Sequence, residues 1–248
     1  MQELTEKEIR NAGGRIFSMT PVVLYITDPR EYYRRYHLRK KSSLNRAQAI
    51  GLLVHRILQI TGTKRMSFGD PRKLRAFVYG VYANEFITDG ESQMIWEFLK
   101  KQNALEGVCK ALSKYFEEFS TKEVIATEVD FLLALDERNF IQSRFDQIKK
   151  VGDDYHVINF KFNTPLPEMS PSLFVVMELL VQEIGFIRTR GIKPVTILHD
   201  LSQSKRFIIN SVAVDQQRFL DMLLLAANGT REKMFFPNQM ALGGFENP

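Results

Sequence analysis

A single cysteine, Cys109, is all the thiol chemistry the chain has. One thiol closes no internal disulfide and supplies no multi-cysteine zinc or iron–sulfur site, and the scarcity points to a reducing, intracellular setting. Long apolar runs are missing too. No stretch reaches the roughly 20 residues that span a bilayer, and residues 1–10 are too charged and polar for a signal peptide or an anchor. Internal repeats and low-complexity tracts are absent as well. What remains is an ordinary globular balance, 248 residues with 44% hydrophobic and 25% charged, enough for one sizeable core. The charge is uneven: residues 1–124 hold 21 Lys and Arg against 14 Asp and Glu, the remainder 13 against 15. Positive charge concentrated in one half predicts a polyanion-binding face, with a merely solvated basic surface as the alternative.

The texture changes once along the chain. Before residue 123 the pattern is helical. Ser18 or Thr20 ahead of Pro21 predicts a helix start with Pro21 at the first helical position, and Asp28-Pro29 predicts a second over residues 30–36. Residues 47–60 carry the clearest helix, with Ile50, Leu53, Val54, Ile57 and Leu58 on one stripe. Residues 71–86 and 91–119 are also helical by periodicity, and we read 70–120 as a helical insert within one domain spanning 1–248. After residue 123, β-branched and aromatic residues fill 123–135, 139–149 and 155–162, separated by Asp136-Glu137 and Gly152-Asp153-Asp154 turns. That predicts a three-strand antiparallel meander. A helix over 171–185, strands over 194–199 and 206–211, a last helix over 215–227 capped by Asn228-Gly229, and a loop tail over 235–248 complete the expectation. The fold class is α/β, in the order helix, three strands, helix, strand.

Candidate chemistry gathers on three of these elements. Gly51 and His55 stand four apart on one side of the 47–60 helix, where Gly51 would admit a close neighbour and His55 could offer an imidazole to a metal. A lone histidine on a helix is more often structural. Ser143-Arg144-Phe145-Asp146 lies on the second strand and Asn159-Phe160-Lys161 on the third. Alternation sends Ile158, Phe160 and Phe162 to one face and Val157, Asn159 and Lys161 to the other. An apolar face backing adjacent polar groups, beside a strand offering Asp146, is how a metal-dependent phosphodiesterase displays carboxylates for a divalent ion and a lysine for the phosphate. The bland reading is a half-exposed hairpin.

Taken together, Gly51-Leu-Leu-Val-His55, Ser143-Arg-Phe-Asp146, Asn159-Phe-Lys161 and Val181-Gln182 resemble the RecB-type pattern of the PD-(D/E)XK nucleases. AddB C-terminal domains and CRISPR-adaptation nucleases are relatives of that type. The segment Asp28-Pro-Arg-Glu-Tyr-Tyr33 is similar to the family's lead-in, so the resemblance runs from about residue 17 to 185. It implies a restriction-endonuclease-like core, with His55, Asp146 and position 159 as ligands of Mg²⁺ or Mn²⁺. It further implies Lys161 as the catalytic lysine and Gln182 near the lysine or the DNA. Glu128 matches an acidic position often seen ahead of the second strand. The implied activity is a metal-dependent DNA nuclease, an exonuclease rather than a site-specific endonuclease, in DNA repair, recombination or phage DNA metabolism. Helicase motifs are absent, so a motor or recombination subunit would be a separate chain.

Departures from the pattern matter as much. Asn159 stands where the family has the Asp of Asp-x-Lys, Ser143 where it has Gly, Phe162 where it has Thr, and Phe186 where it has Tyr. Asp28 occupies the place of the first cysteine in iron–sulfur members, so no such cluster is expected. Asparagine keeps a carbonyl oxygen but loses a full negative charge. A decayed nuclease retained for DNA or partner binding, an introduced Asp-to-Asn exchange, or a carboxylate migrated to Glu178, one turn before Gln182, would each explain it. Drift at several positions favours natural divergence. For the DNA face, Arg30, Arg34, Arg35, Arg39, Lys40, Lys41 and Arg46 interleave with Tyr32, Tyr33 and Tyr36. Cations tracking phosphates and rings stacking on bases would suit single strands or duplex ends. The alternative is a solvated helix that packs its tyrosines inward.

Overall fold

The computed structural model describes residues 5–39, 46–86, 97, 99, 103–162, 171–209, 211 and 214–232. In chain order the elements are α1 (Glu6–Asn11), β1 (Arg15–Ser18), α2 (Met19–Thr27), α3 (Pro29–Tyr32) running into a π-helical turn (Tyr33–His37), α4 (Arg46–Thr63), α5 (Pro71–Glu85) and α6 (Ala104–Glu118). They continue with β2 (Val124–Ala134), β3 (Asn139–Val151), β4 (Asp154–Lys161), α7 (Leu173–Arg190), β5 (Val195–Asp200), β6 (Lys205–Ile208) and α8 (Gln216–Glu232). No helix among the described residues is long and apolar enough to cross a membrane.

The six strands form one mixed sheet centred on β3. One edge of β3 is taken along its length by antiparallel β2. The other edge is shared. Parallel β1 covers Asn139–Gln142, and antiparallel β4 covers Gln147–Val151. Strand β5 then pairs parallel with β4, and β6 antiparallel with β5. The parallel β4–β5 step needs a crossover, and α7 supplies it.

Helices cover both faces. On one, α4, α5 and α6 bury Leu53, Ile57, Leu74, Val78, Val108 and Leu112 against Ile158, Phe160 and Ile197. On the other, α2, α7 and α8 bury Val23, Val181, Ile184 and Leu223 against Phe131, Leu133, Ile141, Phe145 and Val157. The split of Val157 from Ile158 and Phe160 is what the alternation predicts. The result is an α/β fold with a central mixed sheet flanked by helices. Helices α5 and α6 pack on each other and share one continuous core with α4 and the sheet.

Several local expectations need correction. Strand β1 precedes the first lead-in helix, which begins at Met19, so Pro21 lies at the third helical position; its missing N–H is still one of the orphans of the first turn. Of the helix expected over 91–119, Ala104–Glu118 is a helix and Asn103 before it sits at φ 52° in the left-handed region, while most of 91–102 lies outside the described residues. Helix α8 runs through Asn228-Gly229 to Glu232. Gly229 is there for space: a Cβ would lie 2.7 Å from the Tyr25 hydroxyl. At Gly51, by contrast, a Cβ would meet nothing within 4 Å, so no close approach explains it. The tail over 235–248 lies outside the described residues.

His199 on β5 is buried among the rings of Tyr115, Phe119 and Phe160. Burial, helped by the positive charges of Arg206 and Lys149, pushes its imidazole down to about 4. The folded protein holds this ring neutral while the unfolded chain takes up a proton near pH 6.5. The associated stability is therefore complete above that pH and lost as pH falls towards 4. From pH 7 to pH 5 urea-unfolding stability should drop by about 2 kcal/mol from this group, and His199→Phe should flatten the decline. An equal decline in the variant would assign the loss to other groups.

Candidate active site

Residues Ser143–Asp146 pair with neither β1 nor β4, because β1 ends at Gln142 and the β4 ladder starts at Gln147. The sheet is open there on one side. Backbone groups facing such a gap are costly unless side chains satisfy them. Phe160 of β4 shows how this is done: its N–H donates to Asp146 Oδ2 at 2.8 Å, and its carbonyl lies 3.2 Å from His55 Nε2 of α4. Across the same gap Gln182 of α7 donates Nε2–H to the Arg144 carbonyl at 2.8 Å. Three residues that carry the sequence pattern thus fill one break in the ladder.

The strands also change face at this point. Strict alternation would put Phe145 and Gln147 on one side. Instead Phe145 packs on the α7 side, whereas the Gln147 amide oxygen accepts from the Tyr115 hydroxyl of α6 on the other. On β2, Phe131 and Leu133 pack with α7, while the Thr127 hydroxyl meets Thr63 of α4. The slip falls at Asp146 on β3 and at Glu128 on β2. Glu128 takes φ 50°, a left-handed conformation costing a side-chain-bearing residue on the order of 1 kcal/mol. Gly62 near the end of α4 lets the hairpin approach, since a Cβ there would sit 2.6 Å from Thr127 Cγ2 and 3.2 Å from Gln147 Nε2.

This kink delivers two carboxylates to one imidazole. His55 Nδ1 lies 3.4 Å from Glu128 Oε1 and 3.7 Å from Asp146 Oδ2. Among the described residues, His55, Glu128 and Asp146 have ligand atoms all within 4.8 Å of one another. If Nε2 carries the proton towards the Phe160 carbonyl, the Nδ1 lone pair faces two anionic groups, an arrangement that calls for a proton or a cation between them. Burial opposes charge on His55, yet the Glu128 hydrogen bond and the Asp146 charge outweigh it and raise its pKa. Burial raises the Asp146 carboxyl, offset in part by His55, the Phe160 amide and Lys161. Glu128 is steadied from outside by Arg144 Nη1 at 3.3 Å, and Arg144 also grips Asp130 at 2.7 Å.

The opposite wall comes from α7. Lys161 Nζ contacts Glu178 Oε2 at 3.1 Å, and Asn159 Nδ2 reaches Gln182 Oε1 at 3.5 Å. Asn159 is 5% exposed, and its Oδ1 is buried without a hydrogen-bond partner. A mixed imidazole and carboxylate donor set, with an orphaned carbonyl oxygen on the neighbouring strand, fits a divalent cation.

Residues 16–176 match the PD-(D/E)XK nuclease superfamily. The chain belongs to that superfamily. A solved structure from Eubacterium rectale described as a "putative exonuclease" has the same fold, with TM-score 0.54 at 10% identity, covering 100% of this chain and 96% of its own. The structure of SSO0001 aligns with TM-score 0.37 at 15% identity over 76% of this chain and 89% of its own. No curated protein matches.

For a superfamily member, the residues singled out by pattern fall into two groups in space. His55 and Asp146 converge with Glu128, and Lys161, Asn159 and Gln182 line the α7 side. Glu178 pairs with Lys161 and lies outside the His55–Asp146 cluster. Glu128 was legible only as an accessory; the pattern around it, Ala126 on an even position but Phe131 and Leu133 on odd ones of the same face, was the signal of the face change. In the lead-in, Arg34 and Arg35 both pair with Glu31. Tyr32 is buried, donating to the Thr230 carbonyl, and Tyr33 stacks on His37. Tyr36 is 43% exposed, and Lys40 and Lys41 lie outside the described residues.

Glycine at position 128 should remove the backbone cost and one of two crowded carboxylates together. Glu128→Gly is expected to match or exceed the unmodified protein in metal-free stability, by up to about 1 kcal/mol, and to lose the rise in Tm produced by Mn²⁺. A clear loss of metal-free stability would make Glu128 a structural prop instead.

Proposed function

We propose that the chain is a divalent-metal-dependent deoxyribonuclease of RecB type, with His55, Glu128 and Asp146 holding the ion although Asn159 lacks the family's carboxylate. The observation that carries this reading is the convergence of His55, Glu128 and Asp146 beside Lys161. The family places a second carboxylate at the position of Asn159. Here the kink at Glu128, an acidic position that the family also often has, holds a carboxylate from β2 in the cluster, so an imidazole and two carboxylates remain for an ion without residue 159. We assign the ion to Mn²⁺ or Mg²⁺; the imidazole favours Mn²⁺ over the harder Mg²⁺. A divalent ion held by His55, Glu128 and Asp146 would lower the pKa of a bound water and neutralise charge on the phosphate.

The chain's own groups have separate tasks in this scheme. Lys161 presents an ammonium to the phosphate or the attacking water, and Glu178 fixes where that ammonium stands. Gln182 ties β3 to α7 through the Arg144 carbonyl, holding the gap at a set width. Asp146, by accepting from the Phe160 N–H, is fixed in orientation. The substrate is DNA and the favoured action exonucleolytic, in repair, recombination or phage DNA metabolism, with any helicase partner on another chain. Residues 30–46 form a second DNA contact in this reading, chiefly through Arg30, Arg39, Lys40, Lys41 and the exposed ring of Tyr36.

Asn159 itself favours one rival, a catalytically silent DNA-binding or partner-binding module. End-labelled single- and double-stranded DNA, incubated with Mn²⁺ and with chelator, separates the two. The unmodified protein should cleave only with the metal, and Asp146→Ala, Glu128→Gln and Lys161→Ala should each lower the rate at least about 100-fold. Cleavage by Asn159→Asp alone would mean that His55, Glu128 and Asp146 do not suffice without the lost ligand. Binding without cleavage by either protein would establish the silent module.

A further inference from the structure

A second feature lies just past the end of β4. The turn after β5 is fastened to the strand by the Leu201 N–H, which donates to the Lys161 carbonyl at 3.0 Å. Buried Asp200 shapes that turn, its Oδ1 accepting from Ser202 N, Ser202 Oγ and Gln203 N. Between this turn, the start of α4 and one face of α6 runs an open groove of about 460 Å³. Phe162, the residue after Lys161, is in its wall, on the α4 face of the strand, and the groove is bounded by the start of the same helix that carries His55.

Its chemistry has one sign. Arg46, Lys110 and Lys114 line it, together with Ser202, Gln203 and Ser204, and among the described residues no carboxylate does. Lys110 and Lys114 are exposed and four apart on α6, and neither makes an ion pair among the described residues. Like charges at that spacing destabilise a helix by a few tenths of a kcal/mol unless an anion sits across them. Gly107, one turn before Ala111 on this face, keeps the floor low, and a Cβ there would meet nothing within 4 Å. The first turn of α6 also opens into the groove without a side-chain cap from Asn103, so the helix dipole adds the same polarity. By comparison, Arg34 and Arg35 of the lead-in already share Glu31.

We propose that this groove carries the phosphate backbone of the DNA strand running away from the proposed cleavage point, with Lys110, Lys114 and Arg46 on successive phosphates and the 202–204 turn opposite. The assignment rests on the nuclease reading for its direction, but the binding it predicts does not need cleavage. Three cations and a polar turn offer contacts to a single phosphate backbone, so single-stranded DNA or a frayed end is the ligand.

Fluorescence anisotropy with end-labelled single-stranded DNA in chelator reads binding without cleavage. Lys110→Ala/Lys114→Ala should weaken binding at least about 10-fold at moderate salt. It should also reduce the slope of log affinity against log salt by about 1.4, two phosphate contacts at roughly 0.7 each. Lys64→Ala/Lys73→Ala, which removes the same charge elsewhere, should leave the slope nearly unchanged. With Mn²⁺, the groove variant should lose cleavage of long strands while the rise in Tm produced by Mn²⁺ stays as in the unmodified protein. Equal affinity and slope in the groove variant and its parent would overturn the proposal, as would no binding by the parent. Weakened binding with no cleavage by the parent would uphold the groove and defeat the nuclease reading.

Discussion

The opening in the β3 ladder between Gln142 and Gln147 is the constraint on which the rest depends. A strand at the centre of a sheet normally satisfies its own backbone. Here one edge is left for side chains, and the groups that fill it are polar, directional and drawn from α4, α7 and β3 itself. Each bond that closes the gap also fixes a residue of the candidate site. The cost of leaving backbone groups unpaired therefore enforces the geometry: a His55, Asp146 or Gln182 that moved away would strand the Phe160 or Arg144 peptide groups. Placement and stability are coupled through the same hydrogen bonds.

The face change at Glu128 and Asp146 has a second consequence. A regular hairpin would present these carboxylates on the side its alternation dictates, and the adjacent apolar residues would follow. By slipping one position on both strands in register, the hairpin keeps Phe131, Phe145 and Ile148 in one core and sends Gln147 and Thr127 to the other side. The left-handed backbone of Glu128 is the local cost of that solution. Strain held at a residue that also meets His55 suits a functional constraint better than an accident of packing. Position 159 gains meaning in the same setting. Gln182 has its amide N–H committed to Arg144, so its oxygen faces residue 159, where an amide donor is better suited than a carboxylate. Asparagine there is compatible with its surroundings, which agrees with drift of the whole site.

Much of this was written in plain residue patterns. The alternation of Val157 through Phe162 separated the two faces of the strand correctly, because a period of two leaves little freedom once one face is apolar; which helix meets which face was not in it. The stripe on α4 and the Asp28-Pro29 start were equally local signals. Where local rules failed, a distant group had intervened. Gly229 looked like a helix cap until Tyr25 proved to be what it makes room for. Tyr32 looked free to stack on a base, whereas the carbonyl of Thr230 and the ring of Tyr25 hold it inside. Strand β1 escaped notice because four residues carry no periodicity of their own and owe their conformation to β3.

By itself, the sequence determined the fold class, the order of its main elements and the set of polar residues worth watching, since hydrophobic period and turn chemistry act over a few neighbouring residues. Only the tertiary structure decided which of those residues meet. Glu128 reaches His55 across 73 positions of chain, and Glu178 is drawn to Lys161 instead of the cluster. The basic groove joins α4, α6 and the turn after β5, three segments without a common motif. Such meetings depend on where two sheet edges part and how closely helices approach, and those distances are set by packing the whole core at once.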